Sequence, residues 1–221
     1  MRALQRRSAG TARKPSGKPR GAPAAARPVN PARLAVARAY LAFLNGGALA
    51  EAPPRNLHGE ADRRLFAQLL RGMVRHKLLL EAELEQLAND QQQPRDPAVH
   101  TAALLGLYQL RFLERVPDHA AVFESVEVAA ALGFGKARGW VNAVLRRAQR
   151  DGSPEGWPQV LPLGLRTSHP EWMVARWRAR YGEARAARIC EANNLAGGTV
   201  LRVETGRTSP RELLRALEGE S

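Results

Sequence analysis

Residues 98–113 constrain the fold more than any other stretch; they read Ala-Val-His-Thr-Ala-Ala-Leu-Leu-Gly-Leu-Tyr-Gln-Leu-Arg-Phe-Leu. On a helical wheel Val99, Leu104, Leu105, Leu107, Tyr108, Leu110, Phe112 and Leu113 point in every direction. A helix that is apolar all round is covered by neighbours on all sides. His100, Thr101, Gln109 and Arg111 interrupt a run that is already shorter than the ~20 apolar residues a bilayer demands. The stretch therefore reads as the central rod of a helical bundle. Asp96 can cap its start, with Pro97 at the first helical position. Arg111 and Arg115 lie near its end, where cations suit the helix dipole.

The rest of the chain supplies helices to cover that rod. Leu34, Ala37, Leu41 and Leu44 share one face of a helix starting at Pro31, with Val36, Tyr40 and Phe43 beside it and a left-handed stop at Asn45-Gly46-Gly47. Residues 60–76 form a two-sided helix. Leu65, Phe66, Leu69, Leu70 and Met73 oppose a stripe of Arg64, Gln68, Arg71 and Arg75, and the ordinary reading of that stripe is a solvated face. A third helix carries Leu78, Leu80, Leu84 and Leu87. Asp118–Leu132 is the fifth, with Val122, Val126, Ala129 and Ala130 inward and His119 on the same face as a core histidine. The sixth, about residues 136–150, turns Val141, Val144, Leu145 and Ala148 inward. It lines Arg138, Asn142, Arg146 and Arg150 along one side.

Residues 151–168 are rich in Gly and Pro and read as a linker. Ser168-His169-Pro170-Glu171 has the spacing of a capping box. Two helices follow, one with Trp172, Met173, Trp177 and Tyr181 and one ending near Asn193-Asn194. Residues 199–204 alternate like a strand, and Ser209-Pro210 opens a last helix with Leu213, Leu214 and Leu217. The fold class is all-α: a helical bundle, then two helices and a short unpaired β-α segment. A strand without a neighbour leaves its backbone groups unsatisfied, so residues 169–221 read as the start of a second, truncated domain.

Charge narrows the partner. The net charge is +13, yet residues 1–38 hold ten cations and no acid. Residues 1–28 lack the apolar side chains to fold and form a basic arm. The arm reads as a phosphate-binding segment, a solubilising tail or a transit peptide. The candidate phosphate contacts are Arg6, Arg7, Arg13, Lys14, Lys18 and Arg20 in the arm, and Arg138, Arg146 and Arg150 in the sixth helix. The expected partner is a nucleic acid, with no membrane; any protein partner stays open.

Catalytic and metal residues are not expected. The sequence shows no glycine-rich phosphate loop, nucleophile elbow or zinc spacing. Cys190 is the sole cysteine, so no intramolecular disulfide is possible, and a reducing, cytoplasmic setting fits. It sits at a helix end, and an activated thiolate is not expected there.

Several segments carry a family resemblance. They are Asp62-Arg63, Gly72, Arg75, Leu104–Leu110, Val116–Ala121, Glu124–Glu127 and Val141–Arg146. Together they resemble the NusB-like domain of RsmB/Sun-type 16S rRNA cytosine-C5 methyltransferases. Ser168–Trp172, Glu191–Asn194 and Leu201–Val203 resemble the part of those enzymes that follows. Glu204 stands where the family usually has asparagine, and Gly197-Gly198 replaces a proline-containing stretch. The resemblance implies a NusB-like bundle over residues 30–150 that binds and positions RNA, ribosomal RNA in particular. By position, Arg33 and Arg38 are the nearest equivalents of the family's RNA-contacting arginines at the start of the first helix. It also implies that S-adenosylmethionine and the catalytic cysteines belong to a domain after Ser221, so this chain needs no cofactor of its own. Cys190 matches neither catalytic cysteine. The alternative is a standalone NusB-like antitermination or protein-interaction factor.

Overall fold

The computed structural model describes residues 29–50, 52–88, 94, 96–152, 157–195 and 201–219. Among these are α1 (Pro31–Leu44), α2 (Glu60–Arg75), α3 (Lys77–Leu87), α4 (Pro97–Phe112), α5 (Asp118–Ala131) and α6 (Arg138–Asp151), the last preceded by a 3-10 turn at Gly135–Ala137. Then come α7 (Leu163–Arg166), α8 (Glu171–Tyr181), α9 (Glu183–Asn194) and α10 (Pro210–Glu218). No strand occurs among the described residues.

The expected rod is α4. Every residue from Thr101 to Gln109 is buried, and α1, α2, α3, α5 and α6 all pack on it. Asp96 caps it by accepting from the Ala98 N–H, with Pro97 in the first turn. Gly106 has a steric reason: a Cβ there would lie 2.4 Å from the buried Leu145 side chain of α6. Gly72 serves the α2 crossing likewise, since a Cβ would fall 2.0 Å from the Tyr108 ring.

Helix ends follow local chemistry. Asn30 caps α1 by accepting from the Arg33 N–H. Gly46 at φ +85° closes α1, and the Gly47 N–H returns to the Ala42 carbonyl. Only His76 separates α2 from α3, so the two form an elbow.

Two helix faces are rotated from expectation. In α1 the core takes Ala32, Arg33, Val36, Ala37 and Tyr40, while Leu34 and Leu41 are half-buried and Leu44 is exposed. Small side chains let α1 approach α4 closely, and the leucines fall to the flank. In α5 the buried set is Ala121, Val122, Ser125, Val128 and Ala129, so Val126 and Ala130 are only half-buried. That rotation brings His119 to the surface; it is exposed and not a core histidine.

The segment read as a linker carries a helix and buried side chains within residues 157–168. Trp157, Leu163, Gly164 and Thr167 are buried, and α7 packs on α3. The capping box at Ser168 does not form. Ser168 sits at φ +55° and its Oγ accepts from the Leu79 N–H at 3.1 Å. It therefore caps the first turn of α3 from a distance, and Glu171 pairs with Arg178 instead. The capping box that does form is Ser209 with Glu212 at the start of α10.

A small second core joins Leu163, Val174 and Cys190, with Trp177 and Ala187 against it. The two segments Ser168–Trp172 and Glu191–Asn194 meet here. Asn194 Nδ2 donates to the Thr167 carbonyl at 2.8 Å, and His169 Nδ1 lies 2.7 Å from the same oxygen. That contact requires the proton on Nδ1, which leaves Nε2 to accept from Asn193 Nδ2 at 3.4 Å. Of the strand-like stretch, Thr199 and Val200 lie outside the described residues, and Leu201–Glu204 have no regular structure. A strand is defined by its ladder, and no described segment offers one.

Candidate nucleic-acid interface

The arm residues Arg6, Arg7, Arg13, Lys14, Lys18 and Arg20 lie outside the described residues. Among the described residues no group of His, Cys, Asp and Glu could hold a metal ion, and no helix is long and apolar enough to cross a membrane.

Arg33 leaves the set of surface candidates. It is 8% exposed, and its Nε donates to Gln109 Oε1 at 2.7 Å. Gln109 Nε2 in turn donates to the Leu105 carbonyl at 3.0 Å. Burial pulls the Arg33 pKa down, and the carboxylates of Glu124 and Asp62 push it back. Arg33 thus pins α1 to α4. The cause is the rotated α1 face, which carries position 33 inward with 36, 37 and 40.

Arg38 stays exposed. It lines a cavity of about 500 Å³ between α1 and residues 52–57, with Leu34, Pro54, Asn56 and Phe66 among the walls.

The α6 row is exposed as expected: Arg138, Asn142, Arg146 and Arg150 all face solvent. The charge of Arg138 and Arg150 is met within the chain, and that of Arg146 is not. Arg138 pairs with Glu127, Arg150 with Asp151 at 2.8 Å, and Arg146 Nη1 donates to Gln149 at 3.0 Å. A cation already held by a carboxylate gains less from a phosphate, because the incoming anion competes with the existing pair.

The stripe on α2 differs. Arg64 pairs with Glu60, but Arg71 and Arg75 have no ion pair among the described residues, and neither does Arg115 beyond the end of α4. Beside them Tyr108, Phe112 and His76 form a stack, with ring centroids 5.2 Å and 4.2 Å apart in that order. The sequence shows the arginine spacing plainly. It does not show that the end of α4 brings an aromatic ring beside it, because Phe112 and Arg75 are joined only by the packing of α2 on α4.

Comparison with known proteins places this geometry in a class. The NusB family model matches residues 30–150, which are the arm-proximal cap and α1 to α6, and the chain belongs to that family. A second model, the ferredoxin-like domain of RsmF/B-like methyltransferases, matches residues 169–221. Among individual relatives, the probable ribosomal RNA small subunit methyltransferase B of Bacillus subtilis is 35% identical over 164 residues, covering 73% of this chain and 36% of that protein. The ribosomal RNA small subunit methyltransferase B of Pseudomonas putida is 39% identical over 196 residues, covering 87% of this chain and 44% of that protein. The chain thus spans roughly two-fifths of the length of these relatives.

Proposed function

We propose that this chain is the RNA-binding front part of a 16S rRNA cytosine-C5 methyltransferase, and that it holds ribosomal RNA for a catalytic domain. The observation that carries the reading is the succession of two matched units, NusB over residues 30–150 and the RsmF/B-type domain over 169–221. A standalone antitermination factor would account for the first unit and not for the second. Exposed arginines without carboxylate partners support an RNA-facing role. We assign S-adenosylmethionine and the methyl transfer itself to the part of the relatives' length that this chain does not span, and the site of action to the cytoplasm.

The test is binding of 16S rRNA fragments, measured by filter retention across a salt series. Submicromolar binding whose affinity falls steeply with salt is expected. Deleting residues 1–28, which carry eight cations, should weaken binding and flatten the salt slope. Undiminished affinity and slope would make the arm a solubilising tail. No binding to rRNA by the full chain would overturn the reading. Calorimetric titration with S-adenosylmethionine should give no heat of binding.

A further inference from the structure

We propose that the cavity between the end of α1, α3 and the first half of α4 binds an aliphatic primary amine: Glu85, Thr101 and His100 hold its ammonium group, and its methylene stem lies along Leu44, Leu84 and Leu104. The ligand is not RNA, so the inference stands or falls independently of the reading above.

The cavity holds about 320 Å³. That is the lower end of the range for ligand pockets, so the occupant is small. Leu84, Thr101 and Leu104 are buried and form its floor, while Leu44, Glu85 and Pro97 are exposed at its mouth. Two polar atoms on its lining residues lack a partner. Thr101 is fully buried, and its Oγ1 has no hydrogen bond among the described residues. The same is true of His100 Nε2. The His100 ring is set in orientation by Trp140, with centroids 6.0 Å and planes 16° apart. Buried polar groups are almost always paired, because an unmet one costs its full desolvation. Two such atoms on one cavity point to a ligand that donates to both.

Charge selects the donor. The chain carries a net +13, yet the charged residues that line this cavity are two acids, Glu81 and Glu85, one turn apart on α3. Glu81 already holds the Lys77 ammonium at 2.6 Å, so this rim accepts that group within the chain itself. Glu85 has no ion pair among the described residues. An ammonium has three donors and no acceptor. A carboxylate, a hydroxyl oxygen and an imidazole nitrogen offer three acceptors from two helices. A guanidinium instead seeks paired acceptors in one plane. The leucines and Pro97 give the stem an apolar path between mouth and floor.

Solution NMR of the full chain, labelled at threonine and leucine methyls and titrated with putrescine, tests this. The Thr101, Leu84 and Leu104 methyls should shift and saturate. Butanol, which keeps the stem without the charge, should leave them in place. Glu85→Gln should weaken binding about tenfold, as loss of a charged hydrogen bond predicts. Thr101→Val keeps the shape and removes the hydroxyl. It should weaken binding about threefold without lowering the melting temperature, since the lost group has no partner in the free chain. A blocked tripeptide with lysine at its centre separates the sources. Shifts with both probes assign the site to a partner's lysine, and shifts with putrescine alone assign it to a free amine. If putrescine moves none of these methyls, or both variants bind it like the wild type, the cavity holds water only and the proposal falls. A lower melting temperature for Thr101→Val would show that the hydroxyl is already used in the fold, and would also overturn it.

Discussion

α4 and α10 are both leucine-rich helices capped by an aspartate or a serine with proline in the first turn, yet they have opposite fates. α4 has eleven buried residues and five helical neighbours. α10 has none buried, and Leu214 is 59% exposed. Local signals start both helices equally well. Only the number of neighbours decides whether leucine stabilises a fold or covers a surface. The same contrast separates the two cores: one runs through α1 to α6, the other rests on Leu163, Val174 and Cys190. Burial of apolar area is the main favourable term in folding, so residues 31–152 should form the more stable unit.

The largest expected effect lies at a polar contact inside the bundle. Arg111 does more than favour the α4 dipole. Its Nε donates to Glu83 at 2.7 Å, and its Nη2 donates to the Ala148 and Gly152 carbonyls at 3.2 and 2.9 Å. Glu83 is 3% exposed, so the pair ties α3, α4 and the end of α6 together out of water. Glu83→Ala should cost about 3–5 kcal/mol in urea unfolding, because it leaves the guanidinium without its counter-ion. Glu83→Leu with Arg111→Met should recover most of that loss. A loss below ~1 kcal/mol for Glu83→Ala would show that solvent screens the pair.

A smaller effect belongs to His76. Its folded pKa is depressed to about 4 from 6.5, chiefly by burial and next by Arg75. The unfolded chain therefore takes up the proton first as pH falls. The stability from neutral His76 is complete above pH 6.5 and is lost between there and about pH 4. Thermal melts across that range should show the decline, and His76→Phe, which keeps a ring in the stack, should flatten it. An unchanged slope would place the acid sensitivity elsewhere.

The smallest effect is predicted at the other end of the comparison. Leu214→Ser should change stability by less than about 0.5 kcal/mol, since the side chain is already exposed. Hydrogen exchange should show α4 amides opening only with global unfolding and α10 amides opening far sooner. Equal protection of the two helices would mean that α10 is covered, and the contrast between them would fail.

The sequence by itself determined most of the helices, because their signals are local. Asp96-Pro97, Asn45-Gly46-Gly47, Gly182 and Ser209-Pro210 begin or end helices where they stand. The all-round apolar pattern of residues 98–113 identified the central helix, since no other position in a bundle accepts it. Tertiary structure decided which face turns inward and which cations remain free. Arg33 went inside because α1 packs by its small side chains, and Ser168 left its own helix to cap α3. Arg138 and Arg150 met Glu127 and Asp151, while Arg75 met the ring of Phe112 through its neighbour His76. A helical repeat gives each residue an angle on its own axis. It carries no record of what another helix, distant in sequence, presents at that angle, and that opposing surface sets the charge and stacking of the candidate interface.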